Sequence, residues 1–464
     1  MPKTFIDLFA GIGGFHWALK EMHYECLLAV EKDEAAKEIY RLNFKERKRE
    51  GKPTLNKLVG DIRSLTRSNP EDEGTEIKSD EIAARFIEEF KIKEGDVGVI
   101  CGGFPCQPFS KSGTQLGDKD ATRGTLFHDI LLLTEALKPE YLILENVRNL
   151  AGDNHKHTLE IIVNRIDKLG YEIEKKPITL SPHQLPEKEG SPQVRDRVFI
   201  LARKKGLKSG SAPIDVAKHI DFIKKESKPS WDASSILGAR ARDKYKLSKA
   251  EKSWIRIWEE FLKITQDIEL PGHPIWTDVF GKKPVIRDDM PEWEKCFLKG
   301  NHKLYHDIIK APKRRKALRE WLSKLQKEKK ASDGKYSPDI PASRRKFEWQ
   351  ANRAFKEGEK RTLKKLLIQF RPSGIRVKPP THYPALVAMT QTTVVGPLAG
   401  SKKPRKYYRY ITPKEAAKLQ GMYDIKFGRQ ADALSYKQLG NAVNVKVIKY
   451  LAERLMGEAL PGKS

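Results

Sequence analysis

The stretch from Val97 to Ser110, VGVICGGFPCQPFS, constrains the fold more than any other part of the chain. Its apolar, β-branched start predicts a buried parallel strand, and the glycines that follow predict a loop at the carboxyl end of that strand. Cys106 stands in this loop between Pro105 and Pro108, which stiffen the turn. Open α/β sheets carry their chemistry beyond the carboxyl ends of their strands, so Cys106 is a candidate nucleophile. A packed core cysteine is the alternative, because only accessible thiols of low pKa are reactive.

The charge balance indicates a polyanionic partner. The 464 residues include 89 Lys and Arg against 62 Asp and Glu, which gives a formal net charge of +27. An excess of this size favours a nucleic acid as the partner over a surface that is merely basic and solvated. The length allows two or more domains. No run approaches the ~18 apolar residues of a membrane span, and the first residues lack the pattern of a secretory leader, so we expect a cytoplasmic protein without a membrane partner.

The four cysteines follow neither a metal-binding nor a disulfide pattern. Cys26 and Cys101 fall in apolar, strand-like runs and are expected in the core, while Cys296 stands far from both along the chain. This distribution predicts a protein of the reducing cytosol that has no metal site.

A glycine-rich turn follows the first predicted strand, TFIDLF. Gly11, Gly13 and Gly14 allow a tight bend and a close approach of a ligand, and the helix behind them offers free backbone N–H groups. The spacing differs from the G-x-G-x-x-G of dinucleotide-binding proteins, which indicates a ligand with an amino-acid or nucleoside part rather than a pyrophosphate. A turn that serves packing alone is the alternative.

Acidic residues recur near the carboxyl ends of the first three predicted strands. Glu31 stands about 20 residues past the glycines, where doubly wound folds bind ribose hydroxyls, and Asp61 follows the next strand. We therefore expect Asp7, Glu31 and Asp61 along one edge of the sheet. The alternative for Glu31 is a place at the N-terminus of the following helix.

Two later strands bring further polar side chains to this edge. Glu145 follows the predicted strand Tyr141–Leu144 and is expected at the same edge as Cys106, with a helix cap as the alternative. Alternation in the segment VRDRV predicts Arg195 and Arg197 on one strand face. Two such cations can lower the pKa of a thiol or bind a phosphate, and surface salt bridges are the alternative.

The alternation of strands and helices is lost from about residue 206 to 408. Basic clusters interleaved with tryptophans in this region predict an inserted, irregular domain that binds DNA, and tryptophans packed in a core are the alternative. The α/β pattern returns over residues 409–464. There Thr412 and Glu415 form a capping-box signature around Pro413 at the start of a helix.

Six motifs occur in the order seen in DNA (cytosine-5) methyltransferases, and the chain resembles this family, in its prokaryotic restriction-modification form, over residues 1–205 and 405–464. The motifs are DLFAGIGGF, GGFPCQPFS, ENV, QVRDR, RYITPKEAAKLQG and QLGNAVNVKVI. The resemblance implies an α/β, Rossmann-like domain that uses S-adenosylmethionine, formed by residues 1–205 and 409–464. By its position, the segment 206–408 resembles the target-recognition domain of the family.

The resemblance also implies a mechanism. Cytosine C5 is a poor nucleophile until a group adds at C6, and a Cys106 thiolate would add there to a base flipped out of the duplex. Glu145 would act at N3, and Arg195 would contact the base carbonyl with support from Arg197. Transfer of the methyl group to C5, loss of a proton and release of the thiol would complete the reaction.

Further site residues follow from the same resemblance. The implied cofactor-binding residues are Phe9, Gly11, Gly13, Glu31, Asp61, Ile62, Phe104 and Asn441. The predicted DNA contacts are Ser110, Ser112 and Arg123, in a loop that closes over the flipped base, together with Arg344, Arg345 and Lys346 from the basic insert. Lys32 replaces a bulky side chain that often stacks on adenine in the family.

The expected partner is double-stranded DNA, with a cognate restriction endonuclease that acts separately. We expect a monomer in the cytoplasm, associated with the nucleoid. Two alternatives remain open from the sequence. One is a tRNA cytosine-5 methyltransferase, although those relatives tend to lack a large basic insert, and the other is an inactive DNA-binding relative.

Overall fold

The computed structural model describes most of the chain, and all structural statements below refer to that part. The described residues are 2–44, 57–72, 74–105, 125–174, 177–207, 216–226, 230–238, 243–326, 328–330, 336–338, 340–387, 393–400, 405 and 407–457. They form two compact units. The first comprises Met1–Trp231, Ala385–Thr390 and Ala416–Ser464, and the second comprises Asp232–Pro384 and Gln391–Glu415.

The first boundary lies later than the sequence predicts. The helix Val216–Glu226 belongs to the first unit rather than to the insert. Its Lys224 ammonium donates to the carbonyl of Thr179 at 2.7 Å, and the indole N–H of Trp231 donates to the carbonyl of His183 at 2.7 Å. These contacts fix residues 216–226 and Trp231 to the first unit, a long-range pairing that local composition does not reveal.

An eight-stranded mixed sheet organises the first unit in the order β3-β2-β1-β4-β5-β9-β6, with β7 paired to β9. Strands β1 to β5 run parallel to one another, and β6, β7 and β5 pair antiparallel with β9. The strands of this sheet are β1 Thr4–Leu8, β2 Glu25–Val30, β3 Lys57–Val59, β4 Val99–Gly103, β5 Tyr141–Val147, β6 Tyr171–Ile173, β7 Ile178–Leu180 and β9 Arg197–Lys204, and β8 Gln193–Val194 lies outside it.

Helices connect the parallel strands and close the C-terminal part of the unit. In chain order they are α1 Gly14–Glu21, α2 Glu34–Asn43, α3 Arg63–Thr66, α4 Ser79–Arg85, α5 Leu126–Leu137, α6 Lys156–Lys168 and α7 Val216–Glu226. Asp33 caps α2, because its carboxylate accepts from the N–H of Ala36 at 2.8 Å. Within the described residues, no helix is both long and apolar enough to cross a bilayer.

The strand order reverses direction between β1 and β4, the two central strands. Such a switch point opens a crevice beyond the carboxyl ends of the strands, where α/β folds bind ligands. Both strands are apolar and buried: Ile6 and Ile100 have no exposed surface. The loop that leads to Cys106 therefore starts at the crevice, as the sequence predicts. Cys26 and Cys101 are buried in this core, which confirms their expected place.

The second unit contains more regular structure than its sequence pattern indicates. Six strands form a sheet in the order β10-β13-β15-β14-β17-β18. The six strands are β10 Ile275–Trp276, β13 Lys346–Trp349, β14 Leu367–Arg371, β15 Gly374–Lys378, β17 Thr393–Val395 and β18 Arg409–Tyr410. A separate antiparallel pair consists of β11 Glu328–Lys330 and β12 Tyr336–Pro338, and β16 Tyr383–Pro384 lies outside both. Three helices accompany them, α8 Lys249–Ile264, α9 Glu292–Ile309 and α10 Pro312–Gln326.

Tryptophans form the centre of this second core. Trp258 and Trp321 are almost completely buried, and the Trp258 ring stacks on Phe347 with centroids 4.3 Å apart. The indole N–H of Trp321 donates to the carbonyl of Ile257 at 2.8 Å. The alternative of tryptophans packed in a core therefore holds for these residues.

The capping box predicted after residue 409 is confirmed. The Glu415 N–H donates to Oγ1 of Thr412 at 3.2 Å, and the Glu415 carboxylate accepts from the Thr412 N–H at 2.8 Å. The same carboxylate forms a buried bidentate pair with Arg409. The remaining helices follow as α11 Pro413–Leu419, α12 Asp432–Asn441 and α13 Val445–Met456.

Candidate active site

Two cavities of about 260 and 270 Å³ lie beyond the strand ends, and Phe9 and Glu31 line both of them. Together they reach the size of an ordinary small-ligand pocket, roughly 300–1,000 Å³. Phe9 adopts a φ of 55°, in the left-handed region that residues other than glycine occupy uncommonly. The first cavity is also lined by Gly11, Gly103, Glu145, Lys437 and Asn441, and the second by Lys32, Asp61 and Ile62.

Glu31 is held in place by backbone donors. One carboxylate oxygen accepts from the N–H of Gly11 at 2.7 Å, and the other accepts from the N–H of Asp33 at 2.7 Å. The first bond joins the glycine-rich turn to the end of β2. Glu31 thus stands where the sequence predicts it, with its carboxylate fixed between the two cavities.

Asp61 lines the second cavity as a charged acceptor. Burial raises the pKa of its carboxyl group, but the Arg63 N–H at 3.0 Å and the Lys32 ammonium at 2.9 Å outweigh burial and hold that pKa below its usual value. Lys32 is thereby committed to an ion pair at the rim of this cavity.

Asp7 does not join Glu31 and Asp61 at the sheet edge. It lies within β1, has no exposed surface, and lines neither cavity. Burial and the nearby charge of Glu31 raise the pKa of Asp7 well above its usual value. The expectation of three acids along one edge is therefore wrong for Asp7, because the strand continues past it.

Two further predicted residues pack against protein rather than line a cavity. Gly13 has a φ of 87°, and a Cβ at this position would lie 2.2 Å from the ring of Phe44, so the glycine allows the turn to pack. Phe104 is 6% exposed, and its ring lies 5.6 Å from that of Phe127. Gly103 lines the first cavity instead.

Glu145 is the buried acid of the first cavity. It lies in β5 opposite Gly103, whose missing side chain leaves room for the carboxylate, since a Cβ there would be 3.2 Å from Oε2. Nε of Arg197 lies 2.9 Å from Oε1. Burial raises the pKa of Glu145, although the charges of Arg197 and Arg195 oppose that rise. A buried carboxyl of this kind holds a proton more readily than an exposed one and can donate it to a base.

The two arginines occupy different positions from those expected. The chain leaves β8 after Val194 and enters β9 at Arg197, so Arg195 and Arg197 do not share one regular strand face. Arg195 is 3% exposed and donates to the carbonyls of Leu386, Gly440 and Ala442 at 3.3, 2.9 and 2.9 Å.

The surroundings of Arg195 account for its lowered pKa and for its position. Burial and the neighbouring Arg197 lower the pKa of Arg195 to about 9. Its guanidinium donates to the carbonyls of Gly440 and Ala442, on either side of Asn441, which lines the first cavity. Arg197, not Arg195, is the arginine in direct contact with Glu145.

Lys437 is a cavity residue absent from the predicted set. It lies four residues before Asn441 on α12, so the two side chains share one helix face. It is exposed, and it is the one cation among the described residues that line the first cavity. The signal in the sequence is this spacing from Asn441 within SYKQLGN.

Several predicted residues lie outside the described part of the chain. They are Cys106, Ser110, Ser112 and Arg123, and the described segment ends one residue before the cysteine, at Pro105.

The predicted basic cluster of the insert is engaged inside the second unit. Arg344 donates to the carbonyl of Arg371 and lies 5.0 Å from the centroid of the Trp254 ring. Arg345 pairs with Asp278 at 2.9 Å, and the Lys346 ammonium lies 4.5 Å from the centroid of the Trp276 ring.

Comparisons with known proteins assign the family. The family model described as C-5 cytosine-specific DNA methylase matches residues 3–457. The chain is 34% identical to the Type II methyltransferase M.AluI of Cellulosimicrobium cellulans, across 97% of this chain and 91% of that protein. It is 26% identical to the Type II methyltransferase M.BanI of Aneurinibacillus aneurinilyticus, across 98% and 96%.

Among solved structures, the S. pombe Dnmt2 methyltransferase is similar at 15% identity and a TM-score of 0.48, with 98% of each chain covered. The match of the family model over nearly the whole length shows that this chain belongs to the C-5 cytosine-specific DNA methylase family and is a DNA cytosine-5 methyltransferase.

Proposed function

We propose that this enzyme transfers a methyl group from S-adenosylmethionine to C5 of a flipped-out cytosine in a specific double-stranded DNA sequence, through a covalent bond to Cys106. The observation that carries the proposal is the buried Glu145, which pairs with Arg197 and lines the same cavity as Glu31. The similarity to Type II methyltransferases supports a role in a restriction-modification system, beside a separate endonuclease.

The cavity residues fit the functional groups of S-adenosylmethionine. Glu31 offers carboxylate oxygens to ribose hydroxyls, and Asp61 and Ile62 line the neighbouring cavity, where an adenine would be held. Lys437 and Asn441 offer a cation and an amide to the amino-acid end. When bound, the cofactor supplies an electrophilic methyl group.

The residues of the protein would then activate the base and stabilise the charge that develops on it. The Cys106 thiolate forms a bond to C6, and the displaced electron pair moves toward N3 and the ring carbonyl. Glu145 donates a proton at N3, and Arg197 stabilises charge on the carbonyl oxygen. C5 thereby gains the nucleophilic character that it would need to accept the electrophilic methyl group of a bound cofactor. A water molecule would then take the C5 proton, the C5–H electron pair would re-form the C5–C6 double bond as the thiolate leaves C6, and N3 would return its proton to Glu145, which restores the aromatic ring.

The function is tested by transfer of labelled methyl groups to duplex DNA and to tRNA in parallel. We expect label on cytosine C5 of DNA only, in a sequence that bisulfite sequencing would identify. Cys106→Ser should abolish turnover and leave DNA binding intact, because a hydroxyl ionises far less than a thiol. Label on tRNA alone, or near-normal turnover by Cys106→Ser, would contradict the proposal.

The variant Glu145→Gln tests whether Glu145 acts as a general acid. Glutamine keeps the size and can donate a hydrogen bond but supplies no proton, so kcat should fall by about 10²–10⁴-fold with KM for DNA nearly unchanged. A melting curve beside a single-turnover assay separates chemistry from stability. If the variant is destabilised but keeps its turnover per folded molecule, Glu145 serves structure alone.

A paired comparison tests the separate roles of the two arginines. Arg197→Lys should lower kcat and leave the affinity for S-adenosylhomocysteine unchanged, because it alters only the partner of Glu145. Arg195→Met should weaken that affinity and lower Tm, since buried acceptors that lose their donor cost about 1–3 kcal/mol each. Calorimetric titration and thermal unfolding measure both effects. If Arg195→Met instead lowered kcat alone, and Arg197→Lys weakened the affinity for S-adenosylhomocysteine, Arg195 would be the arginine that contacts the base.

Lys437→Met tests the cation of the cavity. The affinity for S-adenosylhomocysteine should fall roughly threefold to tenfold, a modest loss because the ammonium is exposed. Methylthioadenosine lacks the amino-acid carboxylate, so its affinity should not change. Lys449→Met, which breaks the ion pair with Glu21, is the matched control. Equal losses for both ligands would show that Lys437 does not meet the carboxylate.

A further inference from the structure

Helix α10 carries a row of basic side chains on its outer face. The row consists of Lys313, Lys316 and Arg319, all exposed to solvent. Residues three apart on a helix are neighbours, and the row rises about 9 Å along the helix axis. Hereafter these three side chains are called the α10 row.

The opposite face of α10 fixes the direction in which this row points. Leu318, Trp321 and Leu325 are almost completely buried and belong to the core of the second unit. Trp321 is also tied to α8 by its hydrogen bond to Ile257. The helix therefore cannot turn its basic side inward without exposing this core.

The α10 row differs from the surrounding cations in having no acidic partner. Arg314 pairs with Asp267, and Lys324 pairs with Glu260. Within the described part of the chain, no carboxylate lies at ion-pair distance from any member of the row. The helix has six basic residues and one acidic residue, so its outer face carries an unbalanced positive charge.

The contrast with the cluster at 344–346 is informative. Those three cations already contact a carbonyl, a carboxylate and aromatic rings of their own unit. Binding a phosphate there would require some of these contacts to be given up. The α10 row can bind phosphate without breaking a contact seen in the structure.

We propose that the α10 row is a contact surface for the phosphate backbone of duplex DNA. The proposal rests on the proposed function, which makes duplex DNA the substrate. DNA carries one negative charge per ~1.7 Å of helix axis, so a row about 9 Å long meets several phosphates. A second copy of this chain is a poor occupant, because each copy carries a net charge of +27. Contacts to phosphate position the duplex without reading its sequence.

The test measures DNA affinity against salt concentration for a variant in which all three members of the α10 row are changed to glutamine. The slope of log K against log salt should become shallower by about 2 to 3, since each phosphate contact contributes about 0.9. The loss should be the same for DNA with and without the recognition sequence. The methylation kcat at saturating DNA should not change.

A matched control removes the same net charge from the first unit. Lys78→Gln, Lys93→Gln and Lys225→Gln, combined in one variant, change three exposed lysines and should leave the slope close to that of the wild type. A second variant with Lys313→Arg, Lys316→Arg and Arg319→Lys keeps the charges of the row and should also keep the slope.

Either of two outcomes would overturn the proposal. The α10 variant could show the wild-type slope, or it could lose no more slope than the matched control, which would make the effect one of net charge. Both outcomes differ from failure of the proposed function, in which the wild-type enzyme itself would not methylate duplex DNA.

Discussion

The buried guanidinium of Arg195 holds the candidate active site together. It donates to three carbonyls that come from two distant segments of the first unit, and two of these carbonyls flank Asn441. A buried cation is costly unless its donors are satisfied, and here carbonyls accept from both terminal nitrogens of the guanidinium, while Nε has no partner among the described residues. Through this one side chain, the strand that carries Arg197 toward Glu145 is tied to the turn that borders the first cavity. The proposed base chemistry and the proposed cofactor binding therefore share a structural support.

The central parallel strands supply the rest of the site. Each strand delivers its next residues to the same edge, so Gly103 and Glu31 meet in one cavity although they are distant in sequence. Glu145 reaches that cavity from within β5, because Gly103 on the neighbouring strand has no side chain to block it. The bond from Gly11 to Glu31 then closes the turn against the sheet.

Sequence patterns predicted the features that depend on strand ends and helix caps. Glu31, Asp61 and the Thr412–Glu415 capping box stand as expected, because each depends on a few neighbouring residues. Arg195 and Arg197 did not follow strand alternation, since the chain leaves the sheet between Val194 and Arg197.

Features that depend on tertiary packing were beyond local patterns. Gly13 serves the packing of Phe44, and Arg344 faces an indole and a carbonyl of its own unit. Neither environment is visible in the neighbouring residues. The place of Lys437 in the first cavity could not be predicted for the same reason, because it depends on which cavity α12 borders.

The residues that line the first cavity are synthesised at widely separated times. Glycine-turn residues near position 11 and helix residues near position 441 line the same space, with the whole second unit encoded between them. At about 5–20 residues per second, a ribosome needs roughly 20 to 90 s to synthesise the second wall after the first. During that interval the nascent chain lacks one wall of this cavity. The proposed cofactor site is therefore complete only when translation is nearly finished.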